Sequence, residues 1–272
     1  MLAFGVGHHR RDHACGLRVQ HHEHTGDRRN AGKSGIAGAA KIKLLISVIS
    51  PEECAAFSRW PDCLDVKNPA AGALGMAEVE EIHAIRAVAK TTLSVAIGDA
   101  DNNPEMYAAR AVLAARAGAD IVKVGLLSFT PSTAVAFLSF LRHALEAEKC
   151  SAKLVAGVYA DLVDESFLRS FPHTARTAGI WGCLIDTFSK NGEKLGDWLG
   201  PETLSRFTAD CRSRGLVSAL AGGLDERDLA WLDEVEPDYA GFRSAVAKNG
   251  RGEKGIDPEK LERLLTRKSH LN

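Results

Sequence analysis

The chain has 272 residues, 45% of them hydrophobic and 25% charged, an ordinary composition for a water-soluble protein. Its 34 basic residues nearly balance 35 acidic ones, which removes the electrostatic reason to bind nucleic acid or an anionic membrane. The length suits one large α/β barrel or two small domains, so the pattern along the chain must choose.

The first forty residues hold six of the ten histidines, at 8, 9, 13, 21, 22 and 24, with several arginines and almost no apolar periodicity. A histidine-rich tract can bind metal, but the simpler expectation for 1–40 is a disordered leader or an over-extended reading frame. It lacks the continuous apolar segment of a secretory signal. Gly32-Lys33-Ser34 ends like a phosphate loop, yet Gly26 stands one residue too far upstream and no strand precedes it. The apolar run from Ile42 to Ile49 is interrupted by Lys43 and is too short to span a bilayer.

From residue 43 the pattern becomes regular. Short apolar or β-branched runs at 43–48, 62–66, 92–97, 120–125, 153–159, 182–187, 216–221 and 238–243 read as strands. Between and after them, helices are expected near 51–58, 76–90, 104–117, 131–149, 163–178, 201–214, 225–235 and 257–268. Pro131 and Pro201 suit first helical turns, Asp225 and Asp257 suit caps, and Gly118 and Gly215 suit helix ends. Near-continuous apolar strands imply a parallel sheet covered on both faces. Eight β-α units predict a single closed (β/α)₈ barrel over 41–272; a doubly wound open sheet is the competitor. The six cysteines, at 15, 54, 63, 150, 183 and 211, form no Cys-x-x-Cys pair. They read as reduced core residues of a cytoplasmic protein, without structural zinc.

In such barrels catalytic groups lie at the carboxyl ends of the strands. Asp65 and Lys67 end the second strand, Asp99 follows the third, and Lys123 lies within the fourth. Asp161 follows the fifth, Asp186 and Lys190 the sixth, and Arg243 the eighth. A lysine beside an apolar strand either pairs with a carboxylate or is desolvated toward its neutral, nucleophilic form. A neutral lysine can form an imine with a carbonyl substrate. For Lys67 and Lys123 the alternative is a buried ion pair, with Asp65 or Asp186 as the partner of Lys123. Lys190 sits in a loop of solvated type, and Asp99 and Asp161 could cap the helices next in the chain. Gly222 and Gly223 end the seventh strand, and Arg243 and Ser244 the eighth. These are the loops that hold phosphate in this architecture, through backbone N–H groups. Arg243 could grip a phosphate with two parallel hydrogen bonds.

The motifs Asp65-Val66-Lys67-Asn68-Pro69 with Gly72-Ala73-Leu74-Gly75, and Gly98-Asp99, resemble those of the (5-formylfuran-3-yl)methyl phosphate synthases of the methanofuran and methylofuran pathways. So do Lys123-Val124-Gly125-Leu126, Gly157-Val158-Tyr159-Ala160-Asp161, Asp186-Thr187 with Lys190, and Ala219-Leu220-Ala221-Gly222. The resemblance covers about 43–260. It implies a (β/α)₈ lyase that joins two glyceraldehyde 3-phosphate molecules into a furan aldehyde phosphate, with no metal or organic cofactor. By resemblance Lys67 is the imine-forming lysine and Lys123 the proton acceptor, with Asp65, Asp186 and Lys190 at further active-site positions. A phosphorylated triose as the small-molecule partner and a homo-oligomeric state are expected. The histidine-rich leader lies outside the family pattern; Ser244 replaces a common glycine and Ala247 a common cysteine. Two readings stand beside this one. Another imine-forming aldolase would use the same lysines. A non-catalytic phosphate-binding barrel would need Arg243 and Gly222 but not both lysines.

Overall fold

Strand and helix alternate through the computed structural model, which describes residues 42–189, 191–250 and 254–269. The expected leader over 1–40 and Lys190 lie outside the described residues. Eight strands run β1 (Lys43–Val48), β2 (Cys63–Val66), β3 (Thr92–Ala100), β4 (Ile121–Leu126), β5 (Lys153–Tyr159), β6 (Gly182–Asp186), β7 (Val217–Leu220) and β8 (Tyr239–Phe242). Each pairs in parallel with the next, and β8 returns to β1, so the sheet is closed. The (β/α)₈ barrel is the fold, and the open sheet is excluded.

The helices are α1 (Val79–Val88), α2 (Pro104–Arg116), α3 (Pro131–Ala147), α4 (Glu165–Ala178), α5 (Leu195–Trp198), α6 (Pro201–Ser213), α7 (Leu229–Val235) and α8 (Pro258–Ser269). Prolines open α3 and α6 as expected, where the missing N–H costs no intrahelical bond. Asp257 accepts the N–H groups of Glu259 and Lys260 at 2.9 and 3.3 Å, capping α8. Asp225 is not a cap. Helix α7 starts four residues later than expected, after Asp228, because the Asp225 carboxylate is taken by Arg227 and Lys194. The helix expected at 51–58 is a tight 3-10 turn, Pro51–Ala56.

Two apolar layers hold the barrel. Between sheet and helices lie residues such as Ile46, Leu64, Val95, Val124, Phe171 and Leu261. Inside the barrel Leu45, Cys63, Ala96, Ile121, Val155, Leu184 and Tyr239 fill the axis, joined from the β2–α1 loop by Leu74. Because successive strand residues face opposite ways, the inward set fixes which polar groups meet at the mouth. Strand β3 breaks this rule once. Ala96 pairs with Lys123 and Asp99 with Gly125, so β3 carries one residue more than β4 across that interval. Gly98 at φ +123° takes up the bulge. No described helix is long and apolar enough to cross a membrane.

Candidate active site

Inward parity carries Asp65 and then Lys67 up from Cys63, Lys123 up from Ile121, and Asp186 up from Leu184. All four polar groups are at least 95% buried, with exposures of 0% for Asp65, 5% for Lys67, 4% for Lys123 and 2% for Asp186. They meet over the apolar axis. Lys123 Nζ lies 2.6 Å from Asp65 Oδ1, a close ion pair. Lys67 Nζ lies between two carboxylates, 3.9 Å from Asp65 Oδ2 and 3.8 Å from Asp186 Oδ2. Ser47 Oγ donates to Asp65 Oδ2 at 3.2 Å, and Asp186 Oδ1 accepts the Thr187 N–H at 2.8 Å. Of the two partners the sequence allowed Lys123, Asp65 is the one used.

Burying charge is costly unless every charge is compensated. Two lysines set against two aspartates satisfy that condition, and the contacts differ in kind. Lys123 is locked by a short ion pair. The two carboxylates hold Lys67 beyond hydrogen-bond length. Beneath them Cys63 has its thiol pushed up to about 12 by burial, reinforced by the negative charge of Asp65. It stays protonated and fills space, so it is no competing nucleophile.

These groups form the floor of an open pocket at the carboxyl ends of the strands. Its wall on the far side is Ala221, Gly222, Gly223, Arg243 and Ser244. Gly222 has φ +110°, and a Cβ there would lie 2.9 Å from Thr187 Cγ2 and 3.0 Å from its N. Only glycine fits. Its carbonyl accepts the Leu195 N–H at 2.8 Å, which ties the β7 loop to the start of α5. Lys194, 2.6 Å from Asp225, adds a second tie.

Arg243 lines this wall with its guanidinium engaged. Its terminal nitrogens bind both oxygens of Glu53 at 2.8 and 2.9 Å, and Nη1 also reaches the Ser47 carbonyl at 3.1 Å. The fork expected to grip phosphate is therefore committed to a buried carboxylate. Arg243 lines the cavity together with Gly222, Gly223 and Ser244.

Asp99 and Asp161 do not cap helices; Asn103 caps α2 and Asp164 caps α4. Asp161 accepts the Phe188 and Ser189 N–H groups at 2.7 Å each, fixing the chain just before Lys190. Glu53 escaped the sequence reading, and Tyr159 entered it only within a motif, with no role of its own. Glu53 looked like one of two acids in a first helical turn, and nothing local distinguishes it from Glu52. Tyr159 ended a strand of unremarkable pattern. Among the described residues no group of His, Cys, Asp and Glu could hold a metal ion.

A family model described as 4-HFC-P synthase matches residues 44–265. The (5-formylfuran-3-yl)methyl phosphate synthase of Methanosarcina mazei is 34% identical over 230 residues, covering 82% of this chain and 98% of that protein. The enzyme of the same name from Methanocaldococcus jannaschii is 35% identical over 228 residues, covering 81% and 97%. Among solved structures, phosphoribosyl anthranilate isomerase from Thermus thermophilus aligns with a TM-score of 0.57 at 16% identity. It covers 85% of this chain and all of that one, a likeness of fold alone.

Proposed function

The chain belongs to the 4-HFC-P synthase family, and from that premise we propose that it condenses two molecules of glyceraldehyde 3-phosphate. The product is 4-(hydroxymethyl)-2-furancarboxaldehyde phosphate, formed with loss of phosphate and water, for methanofuran-type cofactor synthesis. The observation that carries this reading is the pair of buried lysines sharing Asp65 at the floor of one cavity. A phosphate-binding barrel without chemistry has no use for two buried amines. Free cysteines, four of them buried, suit a reducing cytoplasm.

Lys67 attacks the aldehyde carbon of one triose, water leaves, and the imine becomes an electron sink for the adjacent C–H. Lys123, whose Nζ lies 2.6 Å from Asp65, takes the proton from that carbon. The resulting enamine attacks the second aldehyde, a substrate hydroxyl then adds to the former imine carbon and expels the Lys67 amine, and loss of one phosphate and a second water leaves the aromatic ring. Asp186 lies 3.8 Å from the Lys67 nitrogen, placed to steer protons to the departing oxygens. Lys190 is assigned to that same proton traffic by resemblance. The backbone at Gly222, Gly223 and Ser244 holds a substrate phosphate, with Arg243 behind it as a fixed positive charge. In class this is a carbon–oxygen lyase acting on phosphates.

The test is incubation with glyceraldehyde 3-phosphate alone. A furan chromophore should appear together with one equivalent of inorganic phosphate. A six-carbon bisphosphate without phosphate release would instead mark another imine-forming aldolase. Binding without turnover would mark a phosphate-ligand barrel.

A further inference from the structure

The bulge in β3 reverses the sides of its residues. Before it, Ala96 faces the axis while Val95 and Ile97 lie under the helices. Strict alternation would send Asp99 outward with them. The extra residue at Ile97–Gly98 turns Asp99 to the inner side, and Ala100 takes the outer place. Bulges that re-aim one side chain recur beside active sites. A carboxylate re-aimed into a barrel is costly unless it is satisfied.

It is satisfied by the loop that carries Lys67. After Lys67 the chain closes on itself. Asn68 N–H donates to Gly75 O at 2.8 Å, Ala71 N–H to Asn68 O at 3.0 Å, and the Asn68 side chain caps Ala70 at 3.0 Å. This folded loop then drives Leu74, fully buried, into the barrel interior. Asp99 accepts the Leu74 N–H at 3.0 Å through Oδ1 and 3.3 Å through Oδ2. From β5, the Tyr159 hydroxyl donates to the same Oδ1. Burial, then the Asp99 charge and this hydrogen bond, hold the phenol well above its usual range, so it remains a donor. Space for the arrangement comes from two glycines. A Cβ on Gly72, at φ +128°, would collide with Asp99 Oδ2, and one on Gly125 would collide with the Tyr159 hydroxyl.

We infer that Asp99 and Tyr159 are positioning residues of the active site, a latch that fixes the 68–75 loop and thereby aims the Lys67 amine. The inference rests on the imine reading of Lys67 given above. The latch touches no substrate; it acts through the backbone between Lys67 and Leu74. The Lys67 N–H donates to Val48 O at 3.4 Å, and the 68–75 loop begins at the next residue, so the fold of that loop sets how the chain leaves β2. Misplacement of a reacting group by about 1 Å can cost on the order of a hundredfold in rate.

Four variants test this: Asp99→Ala, Asp99→Asn, Tyr159→Phe and Gly125→Ala. Amide hydrogen exchange in the 68–75 segment needs no substrate and reads the latch directly. The rate of borohydride-trapped adduct formation at Lys67 with glyceraldehyde 3-phosphate reads its consequence. Asp99→Ala should speed exchange at Leu74 at least tenfold and slow trapping by a similar factor, with kcat falling more than KM rises. Asp99→Asn keeps an acceptor for Leu74 and should restore most of both. If Asp99→Ala fails to fold, Tyr159→Phe and Gly125→Ala, which loosen the same carboxylate from one side, should give smaller changes in the same sense. Unchanged exchange at Leu74 in the folded variants would overturn the latch, as would faster exchange with unchanged trapping. Wild-type protein that forms furan product but no Lys67 adduct would overturn the imine reading, and the latch would then be judged on exchange and the kcat-to-KM split.

Discussion

Arg243 closes on Glu53 across 190 residues of sequence, each terminal nitrogen within 2.9 Å of a carboxylate oxygen. The same carboxylate accepts the Ile49 N–H at 2.9 Å and the Gly255 N–H at 2.6 Å. One buried side chain therefore ties the end of β1, the loop after β8 and the approach to α8. The cost of burying two charges is met by this full set of hydrogen bonds, and the site gains a rigid wall behind Gly222 and Ser244.

Removing one member of that pair should unfold more than it disables. Glu53→Gln leaves Arg243 buried without its counter-charge, a loss of about 3–5 kcal/mol, measurable by urea denaturation. Arg243→Met alone should cost a similar amount. The double variant Glu53→Leu with Arg243→Met should recover part of it, because no charge is then left unpaired. Strictly additive losses would show that the two residues do not act as a unit.

Gly222→Ala tests the phosphate wall. Its positive φ and the approach of Thr187 predict strain of about 1–3 kcal/mol. The added methyl should also displace the backbone N–H groups from a bound phosphate, raising KM for glyceraldehyde 3-phosphate. Trapping of unphosphorylated glyceraldehyde at Lys67 should change little. Equal loss with both aldehydes would place the phosphate elsewhere.

The closed barrel and the meeting of Asp65, Lys67, Lys123 and Asp186 were legible because parity and the eight-fold alternation are local properties summed along the chain. What the sequence hid depends on contacts that local pattern does not encode. Glu53 gains its meaning from Arg243, just past the end of β8 and far away in sequence, and its neighbour Glu52 looks identical on paper. Asp99 changes sides through one bulge at Gly98, which a two-residue period misreads. Asp225 had the right spacing for a cap and lost that role to Lys194 and Arg227, two basic groups that compete for the same oxygens.

Asp161 makes the loop ahead of Lys190 sensitive to acid. Burial acts to raise its carboxyl, but the N–H groups of Phe188 and Ser189 outweigh it and hold the carboxyl below its ordinary value. A depressed folded-state value means the stabilisation is fully present above the unfolded carboxylate range, near 4. It is lost as pH falls through the lower, folded value. Exchange of the Phe188 and Ser189 amides should accelerate below about pH 4 relative to the intrinsic rate. Asp161→Asn should remove that step; a step that persists in the variant would assign it to another group.

The roles of the two lysines can be separated by combining trapping with stability. If Lys67 forms the imine, borohydride with glyceraldehyde 3-phosphate adds a substrate-derived mass to the peptide containing Asp65-Val66-Lys67. Lys67→Arg should abolish it, since a guanidinium stays protonated and does not condense with an aldehyde. Lys123→Ala should keep a slow adduct and stop turnover, because it removes the base and leaves the nucleophile. It should also cost about 3–5 kcal/mol, since the 2.6 Å contact makes Lys123 half of a buried ion pair with Asp65. Adding Asp65→Asn should return part of that stability while turnover stays lost, which separates folding from chemistry. An adduct on Lys123 in the wild-type protein would exchange the two roles within the same reaction class. Product formed with no adduct on any lysine would end the imine mechanism.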